Sequence, residues 1–224
     1  MIIVTGPFRS GTSLLTRVLF HAGISVGDRR CFFRASPKNP AGYFQRKDVS
    51  ELNTSIIQDS GGSLSSLPDL SDTLIKPKLL TAFPNINKKS FSIFLNQQHA
   101  ALKDPRFCGT LPTWVKSGLL DVSTMKVLVM KRTLNDVIQS GLQHYSVKEY
   151  YQNFEAGLKT ASQYENLIFN YIENNSISHL VINFDNLVSV DSQLVRQMAE
   201  YLELDSDTFQ RALVDQLQYG RSTK

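Results

Sequence analysis

Met1-Ile-Ile-Val-Thr-Gly-Pro-Phe-Arg-Ser-Gly-Thr-Ser13 is the stretch that decides how the rest of the chain is read. Ile2, Ile3, Val4 and Thr5 form a β-branched run without a polar break, the composition of a strand buried on both faces of a parallel sheet. Gly6, Pro7 and Gly11 then punctuate a tight loop, after which Leu14, Leu15, Val18, Leu19 and Ala22 recur at the spacing of one helix face. A strand, a glycine loop and a helix in that order make an anion cradle. Glycines let backbone N–H groups converge, and the helix begins with unpaired donors and a partial positive charge.

The loop has the form Gly6-x-x-x-x-Gly11-Thr12-Ser13, the spacing of a P-loop with Thr12 where nucleotide-hydrolysing versions carry Lys. That change removes the point charge that follows the β- and γ-phosphates, and Arg9 places a cation inside the loop instead. The expected ligand is therefore an anion other than a nucleoside triphosphate. The competing reading is a tight strand-to-helix turn that merely uses glycine.

With 224 residues and 42% hydrophobic content, the chain is expected to form one domain over residues 1–224, with an insertion or lid around residues 60–90. Its net charge of +4 suits a small anionic ligand or an acidic acceptor. The basic doublets Arg29-Arg30 and Lys88-Lys89 are too short to argue for nucleic acid, so no nucleic-acid partner is expected. Cys31 and Cys108 sit in unrelated contexts, which implies neither a disulfide framework nor a zinc site and points to a reducing compartment. No leader pattern precedes the first strand and no apolar run approaches spanning length, so the expectation is a soluble, cytoplasmic protein without a membrane span.

Further along, Gly23 stands where a helix C-cap belongs, and Ile24 to Lys38 has no period and reads as loop. Asn39-Pro40-Ala41-Gly42-Tyr43-Phe44 is a turn with two aromatics, and a helix is expected from Arg46 to about Asp59. Residues 60–90 are rich in Ser, Gly, Pro, Asp and Lys and suggest a segment lying over a binding face. A helix is expected over Ser90–His99 with Phe91, Phe94 and Leu95 inward, then a strand over Ala100–Asp104 and a short helix over Thr110–Leu120 with Trp114 half-buried. The clearest later strand is Met125–Met130, followed by the capping-box pattern Thr133-Leu-Asn-Asp136 and a helix. A long helix around Tyr151–Glu173, a strand over His179–Phe184 and helices near Ser192–Leu204 and Thr208–Leu217 complete the pattern.

Strands alternating with helices predict an α/β fold, a parallel sheet flanked by helices. In such sheets ligands sit beyond the carboxyl ends of the strands. That rule selects Arg9 after the first strand, Lys103 and Asp104 at the second, Lys131 and Arg132 at the third and Asp185 at the fourth.

Arg132 stands just before the capped helix and Ser140 about two turns into it, so a guanidinium fork and a hydroxyl can reach one phosphate. Together with the loop, this pattern resembles the sulfotransferases that use 3′-phosphoadenosine 5′-phosphosulfate (PAPS), a P-loop fold. In that family the first loop, here Pro7-Phe-Arg9-Ser10-Gly11-Thr12-Ser13, grips the 5′-phosphosulfate. An Arg-x7-Ser element, here Arg132 to Ser140, grips the 3′-phosphate. Asn39-Pro-Ala-Gly42-Tyr-Phe44, Lys103-Asp-Pro-Arg106 and the strand His179 to Asn186 extend the likeness, which is closest to the bacterial and Golgi-like branch. Related sequences often carry Glu after the Gly-aromatic-aromatic turn, where this chain has Gln45, an amide that takes no proton at neutral pH.

The resemblance implies in-line transfer of a sulfuryl group to a hydroxyl or amine of a small-molecule or glycan acceptor, releasing adenosine 3′,5′-bisphosphate (PAP), with no metal. Catalysis then rests on positioning and on cations, Arg9 and Lys103, that meet charge returning to the leaving phosphate. Asp104 is the first candidate for the base, with Asp48, Glu51 and His99 behind it; each also has an ordinary structural reading as an ion pair, a solvated face or a packed imidazole. Tyr43, Phe44 and Trp114 are candidates for an acceptor pocket or for plain core packing. Two other functions stay open: a P-loop nucleotide or small-molecule kinase, disfavoured by Thr12, and a non-catalytic nucleotide-binding protein, for which Gln45 is the hint.

Overall fold

The β-branched opening is strand β1, Ile2–Thr5, with all four residues buried. In the computed structural model, which describes residues 1–36, 39–95, 99–144 and 150–222, β1 lies at the centre of the sheet. It pairs in parallel with β2, Ala101–Lys103, on one side and with β3, Lys126–Lys131, on the other. Strand β4, His179–Asn183, adds in parallel to β3, giving the order β2-β1-β3-β4. The register sets Val4 opposite Lys103 and Leu128, so the carboxyl ends of β1, β2 and β3 lie on the same side of the sheet. The expected α/β architecture, a parallel sheet flanked by helices, is observed.

Ten helices run between and after these strands among the described residues: α1 Thr12–His21, α2 Lys47–Asp59, α3 Pro77–Ala82, α4 Lys88–Leu95, α5 Phe107–Lys116, α6 Leu134–Leu142, α7 Phe154–Asn174, α8 Phe184–Val188, α9 Ser192–Leu202 and α10 Ser206–Ser222. Alternation along the strands divides the apolar residues between two cores. Ile3, Leu102, Val127 and Val129 face a core shared with Leu52 and Ile56 of α2, Trp114 of α5 and Ile168 of α7. Ile2, Val4, Leu128 and Met130 face the other, shared with Leu15 of α1, Met198 of α9 and Leu213 of α10. Gly23, at φ 96°, ends α1 as expected, its left-handed backbone letting Ile24 N–H reach the Leu19 carbonyl.

Three expectations are corrected. Helix α5 begins at Phe107, ahead of Thr110, and carries Pro112 inside it, at the cost of the N–H that would bond the carbonyl of Cys108. Trp114 is fully buried, its Nε1 donating to Asn53 Oδ1 at 2.7 Å. Strand β4 stops at Asn183, because the Asn183 side chain accepts from the N–H groups of Asp185 and Asn186 and starts α8 at Phe184. Within the helix expected over Ser90–His99, residues 96–98 lie outside the described residues.

Part of residues 60–90 is packed into the core. Leu67, Leu70 and Ile75 are buried in the α2–α5–α7 core, Gln163 of α7 exchanges two hydrogen bonds with the Leu67 backbone, and Tyr164 donates to the Leu64 carbonyl at 3.1 Å. Among the described residues no helix is long and apolar enough to cross a membrane.

Candidate functional site

Beyond the carboxyl ends of β1 and β2 lies a cavity of about 420 Å³ lined by Arg9, Thr12, Ser13, Gln45, Lys103 and Arg106, with Phe8, Phe33, Tyr43, His144 and Tyr150 among its walls. Its floor comes from the loop after β1 and from the end of β2, two strands that pair in parallel and deliver Arg9, Thr12, Ser13, Lys103 and Arg106 to one side.

The loop after β1 keeps its shape because two of its glycines have no room for a side chain. A Cβ on Gly6 would stand 2.4 Å from the Met130 carbonyl oxygen, and one on Gly11 would stand 2.5 Å from the Phe184 ring. Arg9 itself adopts a left-handed backbone, φ 74°, which a non-glycine residue holds only when its surroundings fix it. Those surroundings are visible: Tyr151 Oη donates to the Phe8 carbonyl at 3.0 Å, and Arg9 Nε donates to Ser140 Oγ at 3.0 Å. Helix α1 then starts at Thr12 without any side-chain cap, leaving its first N–H groups to an anion.

The two anion-gripping elements read from the sequence meet at Arg9. Ser140 accepts from the Arg9 side chain, while Arg132 Nη1 approaches the Arg9 carbonyl at 3.4 Å and the Arg132 guanidinium lies 4.5 Å from the Phe184 ring centre. Neither Arg132 nor Ser140 lines the cavity; they stand behind the loop while Arg9 faces both sides. Ser10 Oγ, packed within the arc of the loop, and Arg132 Nε are buried with no partner among the described residues, as is Arg106 Nε of the cavity wall. Buried polar atoms are ordinarily satisfied, so the first two orphans fit an anionic ligand at the loop and at Arg132. Lys131, by contrast, lies 5.8 Å from the Phe169 ring centre on α7 and takes no part in the cavity.

Lys103 is the basic side chain that reaches the cavity from β2. Its side chain is buried, and Nζ donates to Gln45 Oε1 at 2.7 Å, Ser13 Oγ at 3.2 Å and the Tyr43 carbonyl at 3.4 Å. Burial pushes its pKa down to about 7, the charge of Asp104 opposing and those of Arg106 and Arg9 reinforcing the shift. Asp104 is turned away from the cavity. Its Oδ1 accepts from the Arg106 N–H at 2.8 Å and from Arg106 Nη1 at 3.1 Å, and its Oδ2 accepts from Gln45 Nε2 at 3.1 Å. The carboxylate is spent orienting Arg106 and Gln45, which is a structural task. Gln45 thus links the two: its oxygen faces Lys103 Nζ, its nitrogen the carboxylate, with Ser50 Oγ at 3.2 Å as a second acceptor for the amide.

None of the other bases read from the sequence lines the cavity either. Asp48 forms a bidentate pair with Arg46 and accepts the Val49 N–H, and both Glu51 and His99 are exposed. Of the aromatic candidates only Tyr43 lines the cavity; Phe44 packs with Phe20 and Phe32, and Trp114 belongs to the core. The sequence pointed past several wall residues. Phe33, Arg34 and Ser36 come from a loop without periodicity, and Tyr150 and His144 come from the end of α6 and beyond, where nothing in their spacing marks them.

Compared with protein-family models and with curated proteins, the chain matches none.

Proposed function

We propose that the chain transfers a sulfuryl group from PAPS to a hydroxyl or amine of a small-molecule or glycan acceptor, releasing PAP. The observation that carries this reading is the junction at Arg9. There an uncapped helix start and a glycine loop, suited to one anionic group, are tied through Ser140 and Arg132 to a second cationic element. A nucleotide phosphorylated at both ends of its ribose has that layout of charge; a nucleoside triphosphate does not. The orphaned Ser10 Oγ and Arg132 Nε support the same ligand.

The donor supplies an activated sulfur–oxygen bond; the chain supplies position and charge. Arg9, the N–H groups at the start of α1 and Lys103 hold the 5′ end, and Arg132 holds the 3′-phosphate. Asp104 and Gln45 are positioning residues that fix Arg106 and Lys103. The acceptor occupies the outer part of the cavity, against Phe33, Tyr43 and Tyr150. The free thiols of Cys31 and Cys108 suit a reducing compartment, and a cytoplasmic setting is part of the proposal.

The test is PAP release from PAPS, without added metal, across a panel of hydroxyl and amine acceptors including glycans. Acceptor-dependent release supports the reading. If the protein binds PAP but no acceptor in the panel raises its release above the rate in water alone, it is a nucleotide-binding protein and the transfer reading fails. Turnover of ATP with magnesium instead would establish a kinase.

A further inference from the structure

The four bases read from the sequence all lie off the cavity, so the acceptor's proton needs another destination. Among the described residues, the wall groups able to take it are few: Lys103 and His144 are the groups whose ordinary chemistry includes a neutral, basic form, since Arg9, Arg34 and Arg106 stay protonated and no described carboxylate lines the cavity.

We propose, building on the sulfuryl-transfer reading, that Lys103 Nζ works as a neutral amine that takes the acceptor's proton and then, as an ammonium, faces the leaving 5′-phosphate. Three observations support it. Lys103 projects from the carboxyl end of β2 into the cavity wall and its Nζ bonds Ser13 of the loop, so it lies between the 5′ end of the donor site and the acceptor space. Its partners are all neutral oxygens: the Gln45 and Tyr43 carbonyls can take the two N–H groups of a neutral amine, and the Ser13 hydroxyl, which can donate as well as accept, can meet its lone pair. The carboxylate that would hold it as an ammonium, Asp104, is committed to Arg106 and to the Gln45 amide. A glutamate at position 45 would have fixed the charge on Lys103; Gln45 accepts a hydrogen bond from it without adding a negative charge. Arg106 and Arg9 add positive field from α5 and the loop, while Tyr43, His144 and Tyr150 line the same cavity. The downward pull on Lys103 already described agrees with this arrangement.

The step balances. As the acceptor oxygen bonds to sulfur, the bond from sulfur to the bridging oxygen breaks, and its electron pair stays on the 5′-phosphate. The acceptor's proton moves to Lys103 Nζ. The new ammonium forms as the phosphate gains charge, so one residue serves both ends of the displacement.

Two measurements on the whole chain test this. In protein labelled with carbon-13 and nitrogen-15 at lysine, the Lys103 side-chain signal, assigned by its absence in Lys103→Met, is followed from pH 5 to 11 without any ligand. A midpoint near 7 is expected; an ammonium persisting above pH 9 would overturn the proposal. In the second, PAP release from PAPS is followed with water as acceptor, an acceptor-independent probe. Wild type should show a rate that rises with pH, with a midpoint above that of the ligand-free protein because the donor's negative charge favours the ammonium. Lys103→Arg, which keeps the charge but takes no proton, should still gain thermal stability from PAP yet lose roughly 100-fold in rate and the rising limb. If Lys103→Arg keeps the limb while His144→Gln loses it, the base is His144 and only this proposal falls. If wild type releases no PAP in water or with any acceptor, the transfer reading falls and the base role with it, whatever the titration of Lys103 shows.

Discussion

Replacing Lys103 by Met should change how stability depends on pH, and the sign follows from its burial. In the unfolded chain this lysine titrates near 10.4, whereas in the fold burial brings it down to about 7. Between those values the unfolded state binds the extra proton and the folded state does not. Folding stability contributed by this group therefore rises with pH across that window, is flat below it, and levels off above it. At about 1.4 kcal/mol per pH unit when one whole proton separates the states, the rise from pH 7 to 9 is about 2 kcal/mol, part of the first unit being lost because the folded amine is only half titrated there. Methionine has a similar length and no titration, so the variant should lack that rise. Urea unfolding of both proteins at a series of pH values from 6 to 9.5 gives the difference directly, and other groups, such as the buried Cys108 thiol pushed up to about 12, cancel in the subtraction. Parallel curves for the two proteins would show that Lys103 stays charged in the fold and would refute the reasoning.

Three further changes separate loop, core and nucleotide site. Gly11→Ala forces a side chain into a left-handed backbone against the Phe184 ring; a loss of about 1–3 kcal/mol in urea unfolding is expected, together with loss of the PAP-induced rise in Tm. Asn53→Ala removes the acceptor shared by Thr110 Oγ1 and Trp114 Nε1 and should cost about 2–4 kcal/mol by urea unfolding, while PAP affinity per folded molecule stays unchanged. Arg132→Ala should weaken PAP by tenfold or more, about 1.5–3 kcal/mol for a charge-assisted contact, yet weaken adenosine 5′-phosphosulfate by less than threefold in calorimetric titrations. Equal losses for the two ligands would remove Arg132 from the 3′-phosphate site.

The sheet was legible because its signals are local. Ile2–Thr5 and Lys126–Lys131 are apolar runs that have no stable place except a buried strand, and Gly23 and Thr133 mark helix ends by conformations and bonds confined to a few residues. Errors came where a local signal was overridden by distant contacts. Trp114 is buried because Asn53, 61 residues earlier, receives its N–H. Phe184 leaves the strand because the side chain just before it caps a helix. Residues 60–90 have the composition of a surface loop, yet Leu67, Leu70 and Ile75 are buried in the core shared with α5 and α7. At the site, the loop and the Arg132–Ser140 pair could be read from spacing, but their meeting at Arg9 depends on how β1 and β3 lie side by side. The engagement of Asp104 by Arg106 and Gln45 depends on the same tertiary proximity, and it leaves Lys103 rather than the carboxylate facing the cavity.

The central claim, a site built for a nucleotide phosphorylated at both its 3′ and 5′ positions, is tested most directly by titrating PAP into the protein in calorimetry with EDTA present. The predicted result is saturable binding at one site per chain, at least tenfold tighter than adenosine 5′-monophosphate and abolished in Arg9→Ala. Equal affinity for the two nucleotides, or binding of ATP with magnesium where PAP gives no heat, would contradict it.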